Sequence, residues 1–145
     1  MAFASLLPLS RPLDFKRGER LVRQGETSRG AFLIRSGRAA AEVALPGGGM
    51  LTVAEFGKDD VFGEMALVER GVCSATVRAL TDVEAAFVER EDFRALVASR
   101  DASALEVQRA LTRVLASKLR TLNEKVRSFP SAEDRQPRDE AIVDL

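Results

Sequence analysis

The chain contains no histidine, no tryptophan and no tyrosine, and a single cysteine, Cys73. An internal disulfide is therefore impossible, and a zinc site built on cysteine and histidine lacks its ligands. Serine–histidine–aspartate and cysteine–histidine nucleophilic systems are excluded on the same ground. Only carboxylate or lysine chemistry would remain, so no enzyme is expected. One free thiol fits a reducing compartment, and a cytoplasmic location is expected. Net charge is missing too: 22 basic residues balance 22 acidic ones. No global field then draws the chain to nucleic acid or to an anionic membrane, and neither is expected as a direct partner. No apolar run is long enough to cross a bilayer. The apolar stretch over residues 3–9 has no basic region before it and reads as a short helix or packing arm, not a signal peptide.

What is present fits one domain with a sizeable core in 145 residues. Residues 1–13 read as an N-terminal arm or short helix, and residues 14–90 as all-β. Short apolar runs there are separated by turn signals. Leu21 and Val22 precede Gln24-Gly25-Glu26, and residues 31–34 stop at Ser36-Gly37. Residues 39–45 stop at Pro46 and three glycines, and residues 51–56 stop at Gly57. Two more runs, 76–79 and 83–88, are broken at Thr81-Asp82. Many short strands with glycine punctuation indicate a barrel or jelly roll. Residues 64–68 read as a single helical turn between the last strands.

From residue 91 the period changes to that of helices. Phe93, Leu96 and Val97 share a face of a short helix over 91–98. Ser103 and Glu106 fit a capping box that opens a long helix reaching about residue 128. Leu111, Leu115, Leu119, Leu122, Val126 and Phe129 form a stripe, several of them seven residues apart. That stripe serves either packing against the helix's own domain or a homodimer seam through Leu115, Leu119, Leu122 and Val126. The repeat is short, and both readings stay open. Residues 91–129 are thus C-terminal helices. Pro130 ends them, and the polar residues 130–145 read as a disordered tail.

The segment that carries chemistry is residues 62–77. A strand leads into Gly63, where a missing Cβ lets backbone approach a ligand. The helical turn that follows offers free amides to a compact anion. Glu64 beside those amides would repel the anion, so its purpose is to accept from a hydroxyl. A ligand with phosphate and hydroxyl is a nucleotide. The plainer reading, which the residues alone favour, makes Gly63 a tight turn and Glu64 a cap. Met65 and Leu67 would then fill the core.

Phe62-Gly63-Glu64-Met65-Ala66-Leu67, followed after seven residues by Ala75-Thr76-Val77, resembles the phosphate-binding cassette of cyclic nucleotide-binding domains. The likeness extends through Phe15 to Glu26, Ala31 to Gly37, Phe56 to Glu64, and Val83 to Leu96. Beyond these, Leu119, Glu124, Lys125 and Val126 resemble the dimer helix of the catabolite activator group. It implies a mainly β fold with C-terminal helices: a double-stranded β-helix, or jelly roll, with a long C-terminal helix. It also implies a regulatory sensor domain that binds cyclic AMP, cyclic GMP or a related ligand and signals through that helix, with no further cofactor. Carried over residue by residue, Glu64 would accept from the ribose 2′-hydroxyl. Amides around Gly63, Ala66, Ser74 and Ala75 would face the phosphate, Ser74 would add a hydroxyl contact, and Met65 and Cys73 would also stand in the ligand site. Asn123 would meet a base edge, of its own ligand or a partner's, or else be plain surface.

One departure matters. The family carries an arginine before this last stretch, and here stands Cys73. A thiol offers no permanently charged fork. Losing such a contact costs on the order of 1.5–3 kcal/mol, roughly ten- to more than a hundredfold in affinity. Arg70 or Arg78 could substitute, with Arg78 reading also as strand-surface charge. Cys73 otherwise reads as a small apolar filler. Two alternatives follow. One is a degenerate domain of this fold that dimerises or binds proteins without nucleotide. The other is a catabolite-activator-type regulator lacking its helix-turn-helix, for which a further helical stretch would be needed.

Overall fold

The computed structural model of the protein describes residues 2–127. Expectations for Phe129, the side chain of Val126 and the tail 130–145 fall outside the described residues.

Eight strands build two four-stranded sheets. These are β1 (Arg11–Phe15), β2 (Arg20–Val22), β3 (Gly30–Ser36), β4 (Ala39–Ala44), β5 (Met50–Phe56), β6 (Val61–Phe62), β7 (Thr76–Ala79) and β8 (Val83–Glu89). One sheet has the order β1-β8-β3-β6 and the other β2-β7-β4-β5, with every pairing antiparallel. This is the expected jelly roll. The run Ala31-Phe32-Leu33-Ile34 shows why the chain folds so. Phe32 and Ile34 point to the cluster between the sheets, while Ala31 and Leu33 point to a second cluster under the helices. Alternate side chains face opposite ways. A strand apolar on both faces therefore joins two cores, and no polar alternation survives in its sequence.

Between the sheets, Phe32 stacks on Phe62 with ring centres 4.8 Å apart. It also tilts against Phe87 at 4.7 Å and Phe15 at 6.4 Å. Rings arranged this way add roughly 0.5–1.5 kcal/mol per pair beyond burial. Strand β1 begins at Arg11, inside the stretch expected as an arm. Its Pro12 cannot donate to a ladder, which weakens the sequence signal. The position is tolerated because β1 is an edge strand that pairs only with β8.

The helical layer covers the outer face of the first sheet. A 3-10 helix over Ala2–Leu9 buries Phe3 and Leu6 against it. Helix α1 spans Arg90–Ser99 and ends where Arg100 turns left-handed, with φ at 56°. Helix α2 spans Ala102–Arg127. Its first turn is capped by Asp101, not by the expected Ser103–Glu106 box. Asp101 Oδ1 accepts from the Ser103 amide at 3.3 Å, and its carbonyl accepts from the Ala104 amide at 2.9 Å. Ser103 lies inside the helix, and Glu106 accepts instead from the Ser5 hydroxyl at 3.1 Å. The face of α2 that meets the domain is Ala104, Val107, Ala110, Leu111 and Val114. Leu115 is partly buried beside it, Leu122 is half-buried, and Leu119 is 60% exposed. The expected stripe therefore splits among the described residues: Leu111 packs on the domain, Leu115 does so in part, and Leu119 faces solvent.

Candidate ligand-binding site

The segment singled out in the sequence has two ends, and different parts of the fold hold them. At its start, β6 delivers the chain to Gly63, which takes a left-handed conformation with φ 76° and ψ 9°. A Cβ there would lie 2.7 Å from the Gly30 carbonyl oxygen. Only glycine allows both the turn and this approach. The short 3-10 turn Glu64–Leu67 follows. Its Ala66 amide donates to the Gly63 carbonyl at 3.1 Å. That corrects one expectation: the Ala66 amide closes the turn and is not free for an anion. Ala66 and Leu67 are buried, while Met65 and Val68 are half exposed.

Glu64 is buried, with 7% of its surface exposed. Its Oε1 accepts from Lys118 Nζ of α2 at 2.7 Å. Its Oε2 is buried without a partner among the described residues. Lys118 reaches it because the helix period puts position 118 on the face that carries Leu111 and Val114. The long lysine stem lies along the domain, and its charged end meets the carboxylate. Breaking a buried pair typically costs about 3–5 kcal/mol. The lysine side chain is 43% exposed, so this one belongs below that range.

The far end of the segment is tied to the β2–β3 connection. The Gly25 amide donates to the Cys73 carbonyl and the Cys73 amide to the Glu26 carbonyl, both at 2.8 Å. The Ser28 amide donates to the Gly71 carbonyl at 3.0 Å, and Thr27 bridges Val72. Cys73, half-buried, lines a cavity of about 610 Å³. Its apolar wall includes Leu13, Phe15, Leu21, Phe32 and Phe87, and its polar wall includes Arg11, Arg23, Arg29 and Glu26. Arg11 stands 3.7 Å from Glu89 and over the Phe87 ring. Arg23 reaches Glu26 at only 4.0 Å. Arg29 has no carboxylate partner among the described residues.

The remaining expected residues are spread more widely. Ser74 is exposed, and Ala75 packs partly against the core between the sheets. Asn123 is exposed on α2, beyond Lys118. Arg70 is exposed in the loop after the turn. Arg78 does not line the cavity at Cys73. Its fork grips Glu42 at 3.0 and 3.1 Å, in an adjoining depression of about 560 Å³ that shares Arg23 and Glu26 with that cavity and is lined also by Arg20, Gln24 and Thr76. The hydrogen bonds from Arg78 hold the Glu42 carboxyl below its usual range, and the same contact pushes Arg78 up. Sequence reasoning missed Lys118, Arg23 and Arg29. For Lys118 a signal existed, since it continues the spacing of Leu111 and Val114. For the arginines none did, because only the folded chain sets residues 25–28 beside 71–73. Arg90 is buried, and its Nε has no hydrogen-bond partner among the described residues. Among the described residues no cluster of three metal-ligating side chains occurs. No described helix is long and apolar enough to cross a membrane.

Comparison with known proteins agrees with this architecture. The family described as cyclic nucleotide-binding domain matches residues 12–100. A CRP-like cAMP-activated global transcriptional regulator of Mycobacterium tuberculosis is 30% identical over 122 residues, covering 84% of this chain and 53% of that protein. The chain thus spans about half that regulator's length. The catabolite activator protein of Thermus thermophilus superposes with a TM-score of 0.69 at 27% identity, covering 86% of this chain and 57% of that one. The N-terminal domain of a transcriptional regulator from Streptomyces coelicolor gives 0.69 at 26% identity and covers 85% of both chains.

Proposed function

We propose, since the chain belongs to the cyclic nucleotide-binding domain family, that it works as a regulatory sensor in which residues 63–75 take a cyclic nucleotide and α2 passes the signal on. The observation that carries this reading is Glu64. One carboxylate oxygen is engaged by Lys118 of the long helix, and the other is buried and unpartnered. An unsatisfied buried acceptor costs about 1–3 kcal/mol. A ligand hydroxyl, such as a ribose 2′-hydroxyl, recovers that energy by donating to Oε2. Any shift of Glu64 on binding is felt by Lys118, so occupancy and helix position are linked through one ion pair. Gly63, Met65, Ser74 and Ala75 supply backbone around the phosphate, and Asn123 supplies an amide at the helix side.

Cys73 weakens the site, because a thiol replaces a charged fork. Binding of cyclic AMP or cyclic GMP is therefore expected to be weak. A second reading, a domain of this fold that pairs with a copy of itself through Leu115, Leu119, Leu122 and Val126, is favoured by the exposure of Leu119. In either case the chain is a binding module and not an enzyme, acts in the cytoplasm, and makes no direct nucleic-acid contact. A role within a transcription regulator of the catabolite activator type is compatible with the regulators it resembles.

Calorimetric titration of cyclic AMP and cyclic GMP into the protein and its Cys73→Arg variant tests this. The expected result is at least about tenfold tighter binding by the variant. If neither form binds either nucleotide, the sensor reading is wrong and the dimer reading replaces it.

A further inference from the structure

The positive charge that Cys73 lacks is present beside it, on a different part of the chain. We infer that Arg23 and Arg29, flanking the β2–β3 connection, form the anion-binding wall of the cavity at Cys73. They would do the work expected of Arg70 or Arg78, neither of which lines that cavity. The inference deepens the proposed function, and rests on it for the identity of the natural ligand, though not for the charge of the site.

Three observations converge. The backbone of residues 25–28 is bonded to that of 71–73 at three points, which fixes the two arginines relative to Cys73. Both arginines and Cys73 line one cavity of about 610 Å³, a size typical of small-molecule sites. Neither arginine is spent on a close ion pair. Arg23 meets Glu26 only at 4.0 Å, and Arg29 meets no carboxylate among the described residues. By contrast Arg11, on the same wall, has Glu89 and the Phe87 ring. A guanidinium beside an apolar floor of Leu21, Phe32 and Phe87 fits an anion that carries a flat or apolar body. A phosphate or carboxylate would lie on the arginines and the body of the ligand on the rings. Cyclic nucleotides belong to this class, as do aromatic carboxylates.

Cys73 makes the test direct, because it is the chain's only thiol. The probes are 5,5′-dithiobis(2-nitrobenzoate), a dianion, and 4,4′-dithiodipyridine, which is neutral. In each reaction the Cys73 thiolate attacks one sulfur of the reagent disulfide. A mixed disulfide forms, and the other half leaves as a thiolate or thione, with no external oxidant. Both reagents meet the same thiolate, so the ratio of their rates reports the local field. The expected ratio favours the dianion and falls at least about threefold in Arg29→Gln, with a smaller fall in Arg23→Gln, and in the wild type at high salt. Arg29→Lys keeps most of the ratio, which separates charge from folding. Cyclic AMP titrated into the same proteins forms the second arm. If the ratio is insensitive to Arg29→Gln, Arg23→Gln and salt, the inference is overturned, whatever cyclic AMP does. If the ratio responds as expected and cyclic AMP binds no form, Cys73→Arg included, the arginine wall stands and the cyclic nucleotide reading falls. If the ratio responds and Arg29→Gln weakens cyclic AMP, both hold.

Discussion

The two ends of the cassette differ in what holds them. The Glu64 end is built into the helical layer: a buried carboxylate, a lysine from α2, and a glycine that lies against Gly30. The Cys73 end is built into the β-roll by backbone hydrogen bonds to the β2–β3 connection. Backbone bonds fix position with little regard to side chain, so the Cys73 end can change residue type cheaply. A buried carboxylate with one satisfied oxygen cannot.

The largest effect is expected from the aromatic floor of the Cys73 end, which also reaches Phe62 before Gly63. Phe32→Ala takes away the ring in contact with Phe15, Phe62 and Phe87. It is expected to lower unfolding free energy by about 3–5 kcal/mol in denaturant titration. If the loss is under about 1 kcal/mol, the aromatic cluster does not support the roll. A sharper contrast comes from the ends themselves. Lys118→Met leaves Glu64 buried with neither oxygen paired, and is expected to cost about 1–3 kcal/mol. Cys73→Ala should cost less than about 1 kcal/mol, the residue being half-buried and its hydrogen bonds being those of its backbone amide and carbonyl. Equal losses would erase the distinction drawn here.

The smallest effect lies outside the cassette, at Arg78 and Glu42. The folded state holds the Glu42 carboxyl below the ordinary value of 4.5. The folded chain therefore binds fewer protons there than the unfolded chain. The contact's stabilisation is present above that ordinary value and is lost as pH falls through the depressed one. Arg78→Gln should flatten this part of the acid profile only slightly, since the arginine side chain is 39% exposed and its charge is screened by solvent. Thermal melts between pH 6 and pH 3, wild type beside variant, check it (an interval set around about 4.5). An unchanged slope would show that the pair contributes nothing.

Much of this was legible in the residues. Apolar runs broken by Gly37, by Pro46 with its glycines and by Gly57 marked the roll, because strand and turn chemistry act over a few neighbours. The order Phe62-Gly63-Glu64 marked the cassette start. Other features were not legible. The strand at Arg11–Phe15 hides behind Pro12, and its pairing with β8 is a long-range event. The cap of α2 went to Asp101 because the helix begins at Ala102, which puts the Ser103 and Ala104 amides within reach of the aspartate and leaves Ser103 inside the first turn. The leucine stripe of α2 runs on past Leu115 in the sequence, whereas the apolar contacts of α2 with the domain, among the described residues, lie between Ala104 and Leu115, with Lys118 adding its ion pair to Glu64.

The sequence by itself determined the class of fold and the missing histidines that leave no familiar catalytic triad, through turn spacing and composition, and it marked the place of the cassette through the family resemblance of residues 62–77. Only the tertiary structure decided that Lys118 belongs to Glu64, that Arg78 belongs to Glu42, and that Arg23 and Arg29 stand with Cys73. Charges act through space over a few ångströms. Which charges come that close is set by how sheets and helices pack, not by where they fall along the chain.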